Sequence, residues 1–288
     1  MRVSSIQLAY SDDEPMEDRV ARAAQLVRSQ HGADLVVLPE LWAPGGFSYR
    51  EWGHRAQAVD GPVVAAIAEA ARDIGAYVHA GSIIEASPEA ATRLAEAGGD
   101  ITALPELPDE LRGLWNTSVL LDPAGEVIAT YRKIHRFGFG VGEPKVLAAG
   151  DDVVTAQIVV GGRPVTLGLA TCYDLRFPEL FRALLDDGAE VVVVPAAWPA
   201  ARVDHWSLLA RARAIEDFVA LIAVNTAGYH AKTQMGGHSV TLAADGTVLA
   251  EAGPDETILQ AEIDLDAIAE RRRSFPALDD RRLGSPAS

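Results

Sequence analysis

Val165-Thr166-Leu167-Gly168-Leu169-Ala170 is an apolar run that breaks into Thr171-Cys172-Tyr173-Asp174-Leu175-Arg176-Phe177-Pro178-Glu179, and Cys172 is the only cysteine of the 288-residue chain. The run reads as a strand and residues 177–188 read as a helix, so Cys172 stands at a strand-to-helix corner of an α/β fold. A corner side chain projects out of the sheet. The free N–H groups and positive dipole end of the following helix are expected to lower the thiol pKa toward the reactive thiolate. A lone cysteine equally suits the role of a small buried hydrophobe, and position alone leaves both readings open.

Two further strand ends favour the nucleophile. Val36-Val37-Leu38-Pro39-Glu40-Leu41-Trp42 delivers a carboxylate, and Thr130-Tyr131-Arg132-Lys133-Ile134-His135 delivers an ammonium. Lysine occurs only as Lys133, Lys145 and Lys232 among 25 lysines and arginines. A composition so biased to arginine keeps a lysine where a compact, adjustable charge is wanted. Singly, Glu40 reads as a solvated strand end and Lys133 as a surface charge; with Cys172 they form a constellation in the order Glu, Lys, Cys.

On the motifs Leu38-Pro39-Glu40, Tyr131-Arg132-Lys133-Ile134-His135 and Cys172 to Glu179, the chain resembles the nitrilase, or carbon–nitrogen hydrolase, superfamily from Arg2 to about Pro276. The resemblance implies a second glutamate between lysine and cysteine, at Glu143 in Gly142-Glu143-Pro144-Lys145. It also implies amide hydrolysis through a thioester. Cys172 attacks, Glu40 moves the proton, Lys133 and the backbone N–H of Tyr173 face the oxyanion, and Glu143 positions Lys133 or the substrate nitrogen.

Cys172-Tyr173-Asp174-Leu175-Arg176-Phe177 is similar to the amidase branch that includes ω-amidase and deaminated-glutathione amidase. It also resembles N-carbamoyl amino acid hydrolases, in which an arginine at the position of Arg176 holds the substrate carboxylate. A guanidinium there suits bidentate carboxylate binding, and an ion pair with Glu179 or Asp174 is the structural alternative. Trp42, Phe47, Tyr49, Trp115, Tyr173 and Trp198 are expected at strand ends around one pocket, as its wall. The reading is a hydrolase of a small carboxamide. The alternatives are an N-carbamoyl amino acid hydrolase and a non-catalytic metabolite-binding protein.

A hydrophobic content of 49% over this length supports one large domain over residues 1–288. The net charge of −16 argues against a nucleic-acid partner. Arg271-Arg272-Arg273 reads as a solvated helix end or a subunit contact, and the resemblance implies a homodimer or larger assembly. The seven histidines show no metal-ligand spacing, and there is no P-loop, so no metal and no cofactor are expected. His135, His205 and His238 are candidate partners for a Cys–His pair, but no local protease signature surrounds Cys172. Gly138-Phe139-Gly140-Val141-Gly142 precedes no helix and reads as a turn lining the pocket. Met1 to Ala9 alternates like a strand rather than a signal peptide, no apolar run approaches the roughly 20 residues of a membrane span, and a usable thiol suits a reducing compartment. No membrane partner and a cytoplasmic location are expected.

Strand-like runs at 2–9, 33–39, 76–84, 116–121, 126–131, 153–160, 164–171, 190–195, 219–225, 238–243, 247–250 and 257–263 alternate with helical patterns at 15–31, 62–74, 177–188, 203–217 and 264–273. Asp122-Pro123-Ala124-Gly125 and Ala243-Ala244-Asp245-Gly246 are hairpin turns, so the sheets are mixed. Val191 to Val194 has no polar face and belongs under helices. The resemblance implies a four-layer α-β-β-α sandwich. Ser87 to Gly113 is acidic, holds Pro88, Pro105 and Pro108, and shows no strand pattern. It reads as a surface insertion at about 86–113, mobile and free of core-facing helix, or as a lid or oligomer contact. A C-terminal tail is expected from about 274.

Overall fold

Alternating apolar strands and amphipathic helices build two six-stranded sheets, in a computed structural model that describes residues 1–283 apart from Pro105 and Gly140. Gly140 of the glycine-rich turn and residues 284–288 of the tail lie outside the described residues. The first half of the chain runs β1 (Arg2–Gln7), α1 (Met16–Arg28), β2 (Leu35–Val37), α2 (Pro62–Ile74), β3 (Tyr77–Ala86), α3 (Pro88–Glu96), α4 (Asp109–Arg112), β4 (Leu114–Leu121) and β5 (Val127–Arg132). After α5 (Glu143–Val146) come β6 (Thr155–Val160), β7 (Arg163–Leu169), α6 (Pro178–Asp186), β8 (Val191–Ala196), α7 (Val203–Asp217) and β9 (Ala220–Asn225). The chain ends with β10 (Tyr229–His230), β11 (Thr233–Gln234), β12 (Val240–Leu242), β13 (Val248–Glu251), β14 (Thr257–Glu262) and α8 (Leu265–Ser274).

One sheet has the order β14-β1-β2-β3-β4-β5 and the other β13-β12-β9-β8-β7-β6. The centres, β1-β2-β3 and β7-β8-β9, are parallel and the flanks antiparallel, so both sheets are mixed. The two-residue alternation of strands sorts side chains into layers. Ile6, Leu8, Val36, Leu38 and Val78 pack with Ala23 and Val27 of α1 and Val64 and Ile67 of α2. Val3, Leu35, Val37 and Leu120 belong to the main core, with the strands of the second sheet and with Phe181, Leu184, Trp206 and Ala210 of α6 and α7. The result is the expected four-layer α-β-β-α sandwich. β8 is buried at every residue, as its apolar run predicts. α2 matches its predicted limits because Pro62 opens it at the first helical position and Gly75 closes it in the left-handed region at φ +63°.

The segment between β3 and β4 differs from its sequence reading. α3 is capped by Ser87, whose hydroxyl accepts from Ala90 N at 3.2 Å, and it buries Ala90 and Leu94. With Ile101 they complete a satellite core around Leu41, Trp52, Ile84 and Leu147. A core-facing helix therefore lies inside a stretch read as loop. Its periodicity is faint because alanine and one leucine carry the whole buried face. The tail after α8 also packs back: Arg281 pairs with Asp186 at 2.6 Å and Leu278 packs on the main core. The β10–β11 hairpin has two residues per strand, too few for a period-2 signal.

Leu94→Ala should destabilise the protein by about 2–4 kcal/mol, the cost of removing a leucine from a packed core. Replacing residues 88–111 with a Gly-Ser linker should cost at least as much, read as the urea midpoint. An unchanged midpoint in the linker variant would return the segment to a surface loop.

Candidate active site

Glu40, Lys133, Cys172 and Ala197 each stand just past the C-terminal end of a strand, respectively β2, β5, β7 and β8. The turns there are sharp. Leu41 and Cys172 both adopt left-handed backbone, at φ +45° and +48°, a conformation that residues with a Cβ seldom hold unless their surroundings enforce it.

Lys133 Nζ donates to Glu40 Oε1 at 2.7 Å and to Glu143 Oε2 and Oε1 at 2.9 and 3.1 Å. Asn116 Nδ2 bridges the same two carboxylates, 2.8 Å from Oε1 of each. Glu40 Oε2 accepts the Ala197 N–H at 2.8 Å, and Glu143 Oε2 accepts that of Phe137. All three charged side chains are 2–3% exposed. The thiol of Cys172, 7% exposed, faces the same cavity as Glu40, whose charge acts on it. Glu40, Lys133, Glu143, Cys172 and Ala197 line one cavity with Tyr49, Tyr173, Arg176, Trp198 and Arg202. A carboxylate that shares a cavity with a thiol can take a proton from sulfur, and a fixed ammonium beside it can hold a developing negative oxygen.

The carbon–nitrogen hydrolase family model matches residues 2–273. The chain belongs to the carbon–nitrogen hydrolase family. It is 41% identical over 280 residues, 97% of its length and 89% of the relative's, to a 2-oxoglutaramate amidase of Paenarthrobacter nicotinovorans. It is 32% identical over 98% of its length to an omega-amidase of Mus musculus, covering 95% of that protein. An amidase from Nesterenkonia sp. AN1, solved as a glutamate-to-glutamine mutant with the acetamide moiety of fluoroacetamide covalently added to its active-site cysteine, superposes with a TM-score of 0.72. The two share 26% identity over 97% of this chain and 96% of the other. A nitrilase-superfamily fold and cysteine-dependent hydrolysis of amides follow for this enzyme.

Two cross-sheet ties hold the hydrolase's nucleophile turn. Asp174 Oδ2 accepts Tyr131 Oη at 2.7 Å and Thr171 N at 2.8 Å, while Oδ1 accepts His135 N at 3.0 Å and contacts His135 Nδ1 at 2.8 Å. Asp174 thus grips the residues two before and two after Lys133 from the turn that carries Cys172. Thr171 Oγ1 meets Ser118 Oγ of the first sheet at 2.9 Å.

Of the residues read from sequence, Glu40, Lys133, Cys172, Glu143, Tyr173, Arg176, Tyr49 and Trp198 come together in the cavity, with Phe47. Trp42 does not: it is fully buried in the α1–α2 layer, its Nε1 donating to Ala80 O at 2.8 Å. Trp115 faces another groove, under the Arg132 guanidinium at 3.6 Å. Arg176 pairs with neither Glu179 nor Asp174; it lies over Trp198 at 4.9 Å and meets His205 Nδ1 at 3.2 Å. His135 is held by Asp174, His205 by Arg176, and His238 lies 3.8 Å from Glu251, so no described histidine lines the cavity.

The expected lowering of the thiol pKa is also overturned. A five-residue 3₁₀ turn, Cys172–Arg176, separates the cysteine from α6, and burial followed by the charge of Glu40 pushes the thiol well above its ordinary value despite Lys133. For Lys133, burial works against the charge, but Glu143 and Glu40 outweigh it and hold the ammonium protonated. Burial raises Glu143. Sequence reading missed Asn116, Asp174 as a clamp, and Arg202. Asn116 is as buried as its polar neighbours Thr117 and Ser118 in β4, so no pattern in the sequence singles it out.

Because the resting thiol is protonated, alkylation of Cys172 by iodoacetamide should be slower than that of a free thiol at pH 7 and should still be rising at pH 9. Lys133→Met should slow it further by removing a cation that draws the thiol pKa down. A rate that levels off below pH 8 would contradict a buried, protonated resting thiol.

Proposed function

We propose that the enzyme hydrolyses the carboxamide of a small substrate carrying a carboxylate at its far end, a 2-oxoglutaramate-like monoamide, to the acid and ammonia. The observation that carries the reading is the Cys172 thiol lining the same cavity as the buried Glu40–Lys133–Glu143 cluster. Glu40 takes the thiol proton as sulfur bonds to the amide carbon. The oxyanion faces the Lys133 ammonium and the Tyr173 N–H. Collapse breaks the C–N bond while the proton on Glu40 passes to nitrogen, releasing ammonia and leaving a thioester. A water then gives a proton to Glu40 and its oxygen to the acyl carbon, and sulfur leaves with that proton. Glu143 and Asn116 keep Lys133 in place throughout.

The substrate class rests on charge. Arg176 and Arg202 line the cavity, stacked on Trp198 and Phe137, and neither has a carboxylate partner among the described residues. In a chain of net charge −16 whose arginines mostly sit beside acids or carbonyls, two uncompensated guanidiniums in one cavity suit an anionic substrate end. The relative named for 2-oxoglutaramate supports the same class. We also propose one domain over the whole chain, with 86–113 inserted and a tail from about 274, acting in the cytoplasm as a homodimer or larger. The exposed apolar Leu208 and Ile215, seven residues apart on α7, support self-association. No helix among the described residues is long and apolar enough to cross a membrane.

Ammonia release from 2-oxoglutaramate, succinamate, neutral aliphatic amides and N-carbamoyl amino acids tests the reading. Cys172→Ala should abolish it, and Glu40→Gln or Lys133→Met should each lower kcat by about a thousandfold or more. Arg176→Ala should raise KM for the carboxylate-bearing amides by tens to hundreds of fold, about 2–3 kcal/mol, and spare neutral amides. Equal losses on both classes would make Arg176 structural.

A further inference from the structure

The turn that carries Glu143 is held from outside the cavity. α5 is one turn long, too short to support itself, and its last carbonyls have no partner within a continuing helix. Arg112, the last residue of α4, takes them: Nη1 donates to Pro144 O at 2.6 Å and to Leu147 O at 2.9 Å, while Nε donates to Leu107 O at 2.8 Å. Arg136 adds a second donor, Nη1 to Leu147 O at 2.7 Å, and is itself gripped by Asp109, whose Oδ1 lies 3.0 Å from Nη1 and Oδ2 2.9 Å from Nη2. Asp109 also lies 3.5 Å from Arg112 Nε. The bonds from Arg112 to Pro144 O and Leu147 O and the Asp109–Arg136 pair join α5 or its flank to the segment between β3 and β4. Leu147 is fully buried in the satellite core with Leu94 and Ile101 of that segment.

From this geometry we infer that Arg112 and Asp109 are positioning residues of the hydrolytic site, fixing the Glu143 carboxylate against Lys133 through the α5 turn. The inference rests on the proposed amide hydrolysis for its kinetic readout. Glu143 and Glu40 share one cation. If Glu143 drifts, Lys133 is held by Glu40 alone and the carboxylate that must accept the thiol proton is more tightly engaged. A misplacement on the scale of 1 Å costs up to about a hundredfold in rate without touching substrate. The segment is then neither lid nor ornament; it is the buttress of a charged side chain in the cavity.

The test is steady-state ammonia release from 2-oxoglutaramate by full-length Arg112→Ala and Asp109→Asn, well below their melting temperatures. Arg112→Ala is expected to lower kcat about ten- to a hundredfold with KM within about twofold. Because Glu143 helps hold the Lys133 proton, the alkaline limb of kcat should move to lower pH. Methylguanidinium should restore part of the lost rate, which a purely structural loss would not allow. Asp109→Asn should show the same limb shift with a smaller fall. If Arg112→Ala does not fold, Asp109→Asn decides alone. Wild-type kcat and pH profile in the folded variants, or a rise in KM matching the fall in kcat, would overturn the inference. Should the wild type release ammonia from no amide, the proposed function fails, and alkylation of Cys172 still reads the turn: Arg112→Ala should change its pH profile, and an unchanged profile overturns the inference.

Discussion

One buried ammonium between two carboxylates is the constraint around which the molecule is arranged. Taking Glu40, Glu143 and Lys133 out of water carries a desolvation penalty of several kcal/mol per ion, offset only if every oxygen and proton finds a partner. The partners come from four places: Asn116 on β4, the Phe137 and Ala197 backbone, and the ions themselves. Burial first, and then the charge of Glu40, keeps the Cys172 sulfur protonated at rest. Glu40 and the Lys133 ammonium are thus held by each other, each lying in the other's field.

Holding that cluster requires two sheets to stay in register. Cys172 sits in a backbone conformation worth about 1–3 kcal/mol of strain, which persists only where neighbours over-determine it. Asp174 supplies much of that constraint, since its two oxygens serve four groups, three of which belong to the Tyr131–His135 stretch around Lys133. The carboxylate that shapes the Cys172 turn therefore also sets its distance from Lys133.

The sequence made strand ends readable where apolar runs stop abruptly before Glu40 and Cys172, and helix limits readable where Pro62 and Gly75 mark them. Side chains whose role depends on facing were not readable. Trp42 and Trp115 lie near the predicted strand ends, yet a single turn or one step of alternation sends each away from the cavity. Arg202 lies in the 3₁₀ turn before α7, where no periodicity assigns a direction. α3 escaped because a helix that buries two residues leaves almost no pattern. The thiol pKa was misjudged for a different reason: the corner motif suggests a helix dipole, while the depth of burial, a tertiary quantity, decides the sign.

The pairing of β1 with β14 binds the two ends of the described fold together, with Arg2 opposite Glu262 and the Met1 amine donating to Ile263 O at 2.8 Å. One edge of the sheet that carries Glu40 and Lys133 is therefore supplied by residues some two hundred and fifty positions downstream, about as non-local as a contact in such a chain can be. A ribosome has delivered everything from β1 to β14 before that edge can close. Until then β1 presents unpaired N–H and C=O groups, a template for misplaced strands during synthesis.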